Sequence, residues 1–249
     1  MRAIILAAGR GTRMGGLTDA IPKCLVKLGG RALLEWQLAA LRDARVTRIA
    51  IVTGWPAVQL ENRGAETFHN PRWAETNMVM SLACAREWLE ADTCIVSYSD
   101  IFYPSSAVRA LLTSPGDISM TYDPNWLALW SRRFPDPLAD AESFEIDSDG
   151  RVTDIGRRVD DVGKIKGQYM GLLKFTPQGW TRADKLIAAL PERDRNKLDM
   201  TTLLQRLIAA GESVKATPIS GPWGEVDSES DLALYSNEFD LDSPNTGAQ

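Results

Sequence analysis

The chain of 249 residues is poor in groups on which many catalytic sites depend. It has one histidine, His69, and three cysteines, Cys24, Cys84 and Cys94, which follow neither a paired nor a zinc-binding spacing. Mechanisms that depend on a pair of histidines or on a zinc cluster are therefore excluded. Three unpaired thiols are typical of the reducing cytoplasm, so we expect a cytoplasmic protein with free cysteines.

Long apolar runs and an excess of basic residues are also missing. No apolar run approaches the ~20 residues that a membrane-spanning helix needs, and Ala3–Ala8 is too short for the core of a signal peptide. The formal net charge of −5 argues against a protein that binds duplex nucleic acid. We expect neither a membrane nor a nucleic acid as a partner, while a homo-oligomer stays open.

The order of apolar segments predicts an α/β protein. Arg2–Ala8 and Arg48–Thr53 are predicted as buried strands, and Arg31–Asp43 between them as a helix, which makes a βαβ unit with parallel strands. Further strands are predicted at Thr93–Ser99, Asp117–Tyr122, Gln168–Phe175 and Val214–Ile219, a hairpin at Ser143–Ile155, and helices at Ser81–Glu90, Ser105–Leu112, Thr176–Leu190, Asp199–Ala210 and Glu229–Glu238. Because no linker composition interrupts this order, we predict one domain over residues 1–239 and a disordered tail over 240–249.

A glycine-rich segment follows the first predicted strand. Gly9 and Gly11 surround one arginine, a second arginine lies at Arg13, and Lys23 follows ten residues later. A buried strand that ends in a glycine turn brings bare backbone N–H groups against phosphates, and the three cations favour a polyphosphate. The segment is not a Walker A loop, since no Gly-Lys-Ser/Thr follows, and it lacks the third glycine of a dinucleotide-binding loop.

Two stretches, LAAGRGTRM over residues 6–14 and Pro22-Lys23 followed by Leu25-Val26, resemble the signature of the nucleotidyltransferases that activate sugar phosphates and phosphoalcohols. The resemblance covers nearly the whole chain except its tail. It implies a single Rossmann-like domain with a mostly parallel central sheet flanked by helices, the nucleotide-diphospho-sugar transferase type. It also implies transfer of a nucleotide from a nucleoside triphosphate to a phosphate monoester, with release of pyrophosphate and with Mg²⁺ as the cofactor.

The predicted catalytic residues suit this chemistry. A phosphate monoester is already anionic at neutral pH, so the reaction needs no general base but depends on relief of repulsion between two anions and on positioning. Arg13 is expected to hold the β- and γ-phosphates, and Lys23 to bridge the incoming phosphate and the α-phosphate. Asp100 and Asp227 are the predicted Mg²⁺ ligands, since a hard cation takes oxygen ligands. The predicted nucleotide-binding residues are Leu6, Ala7, Ala8, Gly9, Gly11, Thr12, Thr53, Asn77 and Ser81.

The segment 68–82 predicts the nucleotide. Hexose-1-phosphate enzymes of the family usually carry a Gly-Thr-Ala type of turn here, whereas this chain has Asn70-Pro, Thr76-Asn77 and Ser81-Leu82. That pattern resembles the cytidylyltransferases that act on phosphocholine and related small phosphoalcohols. The amide of Asn77 both donates and accepts, as a cytosine edge or a ribose requires, although an ordinary helix-capping asparagine explains it too. We predict CTP.

The acceptor is predicted less narrowly. Asp123-Pro-Asn-Trp126 resembles the stretch that supplies one aromatic ring of a choline cage, but Asp199-Met-Thr-Thr offers no second ring. The acidic loop around Asp136 and Glu142 suits an ammonium group that donates hydrogen bonds. Together with Leu129-Trp130 and Gly167-Gln-Tyr-Met-Gly-Leu, this loop looks similar to the corresponding parts of a branch of cytidylyltransferases that modify cell-surface glycans. Some members of that branch are associated with amino-acid-like phosphoramidate acceptors such as glutamine phosphate. The predicted acceptor-binding residues are Trp126, Asp136, Glu142, Tyr169, Asp199 and Glu225.

The prediction is therefore a CTP-dependent cytidylyltransferase for a small phosphorylated acceptor, such as phosphocholine, phosphoethanolamine, a phosphonate or an amino-acid phosphate. One alternative is a sugar-1-phosphate nucleotidyltransferase that uses UTP, dTTP or GTP. The other is a catalytically inactive, nucleotide-binding regulatory protein. A degenerate relative of that kind is expected to lose at least one of Arg13, Lys23, Asp100 and Asp227, and all four are present.

Overall fold

The computed structural model describes residues 1–238, without the side chains of Thr12, Arg13, Asn237 and Glu238. The predicted tail and the last residue of the predicted domain lie outside the described residues. The strands are β1 (Arg2–Ala7), β2 (Lys27–Leu28), β3 (Arg31–Ala32), β4 (Arg48–Thr53), β5 (Glu66–His69), β6 (Cys94–Tyr98), β7 (Ile101–Phe102), β8 (Ile118–Asp123), β9 (Glu142–Ile146), β10 (Val152–Arg158), β11 (Gln168–Phe175), β12 (Val214–Pro218) and β13 (Gly224–Glu225). The α-helices are α1 (Leu33–Asp43), α2 (Met78–Ala83), α3 (Arg86–Ala91), α4 (Ser105–Thr113), α5 (Trp126–Arg133), α6 (Pro177–Ala189), α7 (Glu192–Lys197), α8 (Met200–Ala209) and α9 (Glu229–Glu238). Short 3-10 helices lie at Thr12–Thr18, Lys23–Leu25, Ala57–Leu60, Pro137–Ala139 and Val162–Lys164.

Seven strands form the central sheet in the order β12-β8-β11-β6-β1-β4-β5. All neighbouring pairs are parallel except those of β11, which runs antiparallel to both β6 and β8. At its middle, Ile4 of β1 pairs with Ala50 on one side and with Val96 on the other. A strand with neighbours and helices on every side is buried on both faces, which explains the unbroken apolar run in β1. The mostly parallel α/β sheet flanked by helices confirms the predicted fold class.

Amphipathic helices cover the sheet. Helix α1 buries Leu34, Leu38 and Leu41 at helical spacing and packs against α4. Helix α6 packs against α3 and α8. No helix among residues 1–238 is long and apolar enough to cross a lipid bilayer.

The structure differs from the predicted elements in a few places. The helix predicted over Ser81–Glu90 is two short helices, α2 and α3, because Ala85 leaves helical geometry with φ −98° and ψ 23°. Strand β5 carries mostly exposed side chains at the edge of the sheet, so it shows no apolar run. Helix α5 was not predicted, although Trp126, Leu129 and Trp130 have helical spacing and are buried. The predicted hairpin forms as β9 and β10, with Gly150 at φ 71° in the turn.

The topology gathers loops at one edge of the sheet. The strands β4, β1 and β6 are parallel neighbours, so Gly54, Gly9 and Asp100 all follow the carboxyl ends of adjacent strands. The segments that follow β1 and β4 approach each other closely here. A Cβ atom on Gly54 would lie 2.3 Å from the carbonyl oxygen of Ala8, so only glycine fits at this crossing.

Candidate active site

The glycine loop covers the predicted catalytic lysine. Gly11 has a left-handed φ of 67°, and a Cβ atom there would lie 2.8 Å from the Cβ of Lys23. Glycine at this position therefore allows the lysine to pass beneath the loop. The predicted roles of Thr12 and Arg13 depend on side chains that lie outside the described part of the structure.

Lys23 lies between the two carboxylates that were predicted from sequence. Its side chain is only 8% exposed, and its Nζ donates to Oδ2 of Asp100 at 2.8 Å and to Oδ1 of Asp227. Burial alone would lower the pKa of Lys23, but the charges and hydrogen bonds of the two carboxylates raise it above its ordinary value. The lysine is therefore a fixed positive charge at neutral pH.

A third carboxylate joins this pair. Asp100, Glu225 and Asp227 each place an oxygen within 4.8 Å of the others. Strand β13 carries Glu225 alongside β7, and the N–H of Val226 donates to the carbonyl oxygen of Asp100 at 2.9 Å. Burial, together with the negative charges of Asp100 and Asp227, raises the pKa of Glu225 to about 8. The structure thus places Glu225, predicted to bind the acceptor, among the predicted metal ligands.

The three carboxylates have the donor set of a hard divalent cation. Mg²⁺ and Ca²⁺ bind oxygen ligands, and Mg²⁺ keeps several waters beside one or two carboxylates. Oδ1 of Asp100 is buried and has no hydrogen-bond partner among residues 1–238. A buried carboxylate oxygen without a partner is unfavourable in itself and suits a ligand atom for a cation.

Arg133 lies behind the carboxylates and was not predicted. Its fully buried side chain is 3.6 Å from Oε2 of Glu225 and 2.9 Å from Oδ1 of Asp231, and it stacks on Trp130 at 4.7 Å. Asp231 in turn accepts from the backbone N–H of Asp227 at 2.9 Å. The sequence Arg132-Arg133 suggests a solvated pair, and only the three-residue spacing from the buried Trp130 could have indicated that Arg133 points inwards.

A cavity of about 290 Å³ extends from the glycine loop to the carboxylates. It brings together predicted nucleotide-binding residues, the catalytic lysine and one metal ligand with residues that were not predicted. Its lining consists of Leu6, Ala8, Gly9, Gly11, Lys23, Trp73, Thr76, Asn77, Met78, Ser81, Tyr98, Ser99 and Asp100. Ala7 and Thr53, also predicted to bind the nucleotide, are buried at the ends of β1 and β4 and do not line the cavity.

Asn70 organises the wall that was predicted to choose the nucleotide. It is 3% exposed, and its Nδ2 donates to the hydroxyls of Thr76 and Ser81 at 3.0 Å each. Its backbone N–H donates to the carbonyl oxygen of Thr53 at 2.8 Å. The hydroxyl of Ser81 therefore holds Asn70 in place as well as facing the cavity.

Asn77 caps helix α2 at the edge of the same cavity. Its Oδ1 accepts from the N–H of Met78 at 2.7 Å, and its Nδ2 donates to the carbonyl oxygen of Lys197 at 3.2 Å. Asn77 is therefore a helix cap, as the alternative explanation from the sequence has it, and it also lines the cavity.

Three of the predicted acceptor-binding residues, Glu142, Tyr169 and Asp199, are linked by contacts or electrostatic interactions that involve Tyr98 or one another. The rings of Tyr98 and Tyr169 are 5.8 Å apart, and burial raises the pKa of Tyr98, with Asp100, Glu225 and Asp199 adding to the effect. Partial desolvation and the neighbouring carboxylates of Asp199 and Asp140 raise the pKa of Glu142, although this residue is exposed at the start of β9. The carboxylates of Glu142 and Asp199 thus interact electrostatically, and Asp199 also acts on Tyr98 together with Asp100 and Glu225.

The structure does not bring Trp126 and Asp136 to this group. Trp126 is 3% exposed, and its indole donates to the carbonyl oxygen of Ile165 at 3.2 Å. Its ring is part of the core, because α5 turns this face inwards. Asp136 is exposed and accepts from the N–H of Leu138 at 3.0 Å, where it caps the turn Pro137–Ala139.

The chain is similar in sequence to known NTP transferases. The model of the MobA-like NTP transferase domain matches residues 3–159. CTP:phosphoglutamine cytidylyltransferase of Campylobacter jejuni is 34% identical to this chain over 94% of the chain and 98% of its own length. Glucose-1-phosphate thymidylyltransferase of Streptomyces griseus is 25% identical over 93% of the chain and 64% of its own length. The structure of an inositol-1-phosphate CTP transferase from T. maritima has the same fold, with a TM-score of 0.73 at 20% identity, and covers 95% of this chain and 96% of its own.

Proposed function

Because the chain belongs to the family of MobA-like NTP transferase domains, we propose that it is a cytidylyltransferase that transfers CMP from CTP to a small phosphorylated acceptor bearing an amine, with release of pyrophosphate. CTP and the amine are the specific parts of this proposal. They are supported by the relative that matches nearly the full chain and by the acidic side chains of Glu142 and Asp199.

The position of Lys23 is the observation that carries the proposal. One ammonium group is buried between Asp100 and Asp227, beneath the glycine loop, and lines the same cavity as Gly9 and Gly11. Backbone N–H groups at a glycine turn suit the β- and γ-phosphates. A fixed cation between the carboxylates suits the α-phosphate and the incoming phosphate, which repel each other.

The reaction joins two anions. An oxygen of the acceptor phosphate forms a bond to the α-phosphorus of CTP, and the bond from that phosphorus to the bridging oxygen of the β-phosphate breaks, so pyrophosphate leaves. No proton has to be removed from the nucleophile, which agrees with a site without histidine. The tasks of Lys23 and the loop are to hold the two groups in line and to offset their charge.

The residues that would hold Mg²⁺ are Asp100, Asp227 and Glu225. When bound, Mg²⁺ would offset charge on the phosphate oxygens and help to orient them. Arg133 and Asp231 keep the Asp227 loop in position from behind, so the carboxylates stay gathered despite their mutual repulsion.

The amine of the acceptor would bind between Glu142 and Asp199. The negative charges of Glu142 and Asp199 repel each other, and an ammonium group that donates a hydrogen bond to each would relieve the repulsion. A choline headgroup cannot donate such bonds, and Trp126 offers no exposed ring for a cage. Activation of an amine-bearing phosphate in the cytoplasm for transfer to a cell-surface glycan is the setting that we propose.

Pyrophosphate release tests the proposal. CTP, UTP, dTTP and GTP are each offered with phosphoglutamine, phosphocholine, phosphoethanolamine, aminoethylphosphonate and glucose-1-phosphate. We expect a preference of about tenfold or more for CTP over the other triphosphates, and for a primary amine over choline. A preference for another triphosphate with glucose-1-phosphate would make the protein a sugar-1-phosphate nucleotidyltransferase. No turnover with any pair would favour the regulatory alternative.

Variants of the proposed site check the roles. Lys23→Ala and Asp100→Asn are each expected to lower turnover by about 100-fold or more, because each removes a charge that contacts the reacting phosphates or their metal. Asp184→Asn serves as the matched control, since Asp184 pairs with Arg86 of α3 and does not line the cavity. Near-full activity of the Asp100→Asn enzyme with Mg²⁺ would refute the metal assignment.

A further inference from the structure

Trp73 differs from the other tryptophans of the chain. Seven of the eight have a ring, cation or hydrogen-bond partner: Trp36, Trp55, Trp88, Trp126, Trp130, Trp180 and Trp223. Within residues 1–238 the indole of Trp73 has none of these. It lines the cavity instead. Trp73 is half-buried and packs against the core, but it has no ring, cation or hydrogen-bond partner where it lines the cavity, and this points to a ligand.

The ring is anchored beside the glycine loop. A Cβ atom on Gly54 would lie 2.7 Å from the Cβ of Trp73 and 2.3 Å from the carbonyl oxygen of Ala8. The tryptophan therefore packs directly against the carboxyl ends of β4 and β1. Glycine at position 54 is what allows this approach.

The turn that carries Trp73 is held by hydrogen bonds on both sides. The N–H of Trp73 donates to the carbonyl oxygen of Asn70 at 3.3 Å, and the N–H of Thr76 donates to that of Arg72 at 3.0 Å. The buried amide of Asn70 ties this turn to Ser81 on α2. A platform that is already held in place loses little conformational entropy when a ligand stacks on it.

We propose that the Trp73 indole is the surface on which the nucleobase of the triphosphate stacks. The inference rests on the proposed function for the kind of ligand, a nucleoside triphosphate. Stacking on an aromatic ring contributes affinity for any base, since every base has a π face. The polar groups of Thr76 and Asn77 at the rim of the same cavity then select the base by its edge. Affinity and choice of base thus reside in different residues.

Kinetics of two variants test the proposal. Trp73→Leu removes the π face and is expected to raise the KM for CTP about tenfold, within the range of base–aromatic stacking. Trp73→Phe keeps a ring and should restore most of the affinity. Inorganic tripolyphosphate, a triphosphate without a base, should inhibit all three enzymes alike. A KM for CTP unchanged in Trp73→Leu, or an equal loss of affinity for tripolyphosphate, would overturn the proposal.

Fluorescence provides a readout that does not depend on turnover. CTP should quench part of the tryptophan emission of the wild type and of a Trp88→Phe control, because Trp88 lies against Arg2 and Arg48 at the opposite edge of the sheet. The Trp73→Phe protein should lose that quenching, and full quenching in it would refute the assignment. If the wild type prefers another triphosphate, the proposed use of CTP fails and the same variants are measured with that nucleotide. If nothing turns over, the proposed activity fails while the quenching still decides the role of Trp73.

Discussion

Single charges in this site are balanced by neighbours that come from distant parts of the chain. Lys23 and Arg133 are the buried cations, and they face Asp100, Glu225 and Asp227. A buried charge without a partner is strongly unfavourable, so each cation needs the carboxylates as much as they need it. The site is thus held together by attraction between these two buried cations and the three carboxylates.

The negative charge of Glu142 is expected to lower the stability of the folded protein and to contribute to acceptor binding. Its pKa in the folded protein is raised by partial desolvation and by Asp199 and Asp140, with Arg158 opposing the effect. The folded state therefore keeps the proton to a higher pH than the unfolded state does, and stability falls as the pH rises above the ordinary value of 4.5. Glu142→Gln should raise the Tm at pH 7.5, leave it unchanged at pH 4, and raise the KM for the acceptor.

Thermal unfolding at the two pH values, with steady-state kinetics at pH 7.5, measures these effects. Glu145→Gln is the matched control, because Glu145 is a second exposed glutamate of β9. An equal rise in Tm at both pH values would show that lost ionisation is not the cause. A lower Tm at pH 7.5 would contradict the expected repulsion.

At the scale of elements, one short connection joins the two halves of the site. The N–H of Asn77 donates to the carbonyl oxygen of Asn196 at 2.7 Å, and that of Val79 donates to Leu198 at 3.4 Å. The next residue, Asp199, is the N-cap of α8. The end of α7 therefore fixes helix α2, which borders the nucleotide cavity, relative to the cap of α8.

Asp199 has two roles at this junction that substitutions can separate. Its side chain accepts from the N–H of Thr202 at 2.7 Å and caps α8. Asp199→Ala should lower the free energy of unfolding by about 1 kcal/mol, the usual loss of a helix cap, and weaken acceptor binding. Asp199→Asn keeps a capping oxygen, so its stability should stay near that of the wild type, while loss of the charge raises the KM for the acceptor.

Urea unfolding gives the stability of both variants, and the KM for the acceptor is measured at saturating CTP. If Asp199→Asn binds the acceptor as well as the wild type does, Asp199 serves only as a cap. In that case the amine site has to be sought elsewhere.

For the whole molecule, binding of Mg²⁺ should stabilise the folded state against unfolding. Asp100 comes from the end of β6, and Glu225 and Asp227 from the segment after β12, so the cluster forms only in the folded state. A ligand that binds only the folded state stabilises it by about 2.7 kcal/mol at 100 times its Kd. Mg²⁺ should therefore raise the Tm of the wild type, and EDTA should reverse the rise.

The same titration with Asp227→Asn should give little or no rise in Tm, while Asp184→Asn should respond like the wild type. Comparing each protein with and without Mg²⁺ removes the effect of the substitution on the metal-free state. An unchanged Mg²⁺ response in Asp227→Asn would exclude this cluster as the metal site.

Most of the sheet could be predicted because its signals are local. The apolar runs of β1 and β4 and the turn at Asp149-Gly150 lie within a few residues, and the structure has a strand or turn at each. Edge strand β5 and helix α5 were missed for opposite reasons. The mostly exposed residues of β5 show no apolar period. The tryptophans of α5 were interpreted as possible ligand-binding rings, but in the structure they are buried in the core.

Local sequence patterns are enough to predict the mostly parallel α/β sheet, the glycine loop and the kinds of chemical group in the site, because strand periods and turn preferences act between near neighbours. Which of these groups meet is a property of the folded chain. Lys23 contacts a carboxylate 204 residues away, Glu225 joins the metal ligands, and Arg133 points inwards. Such contacts depend on which strands become neighbours in the sheet, and that depends on burial summed over the whole chain rather than on any one segment.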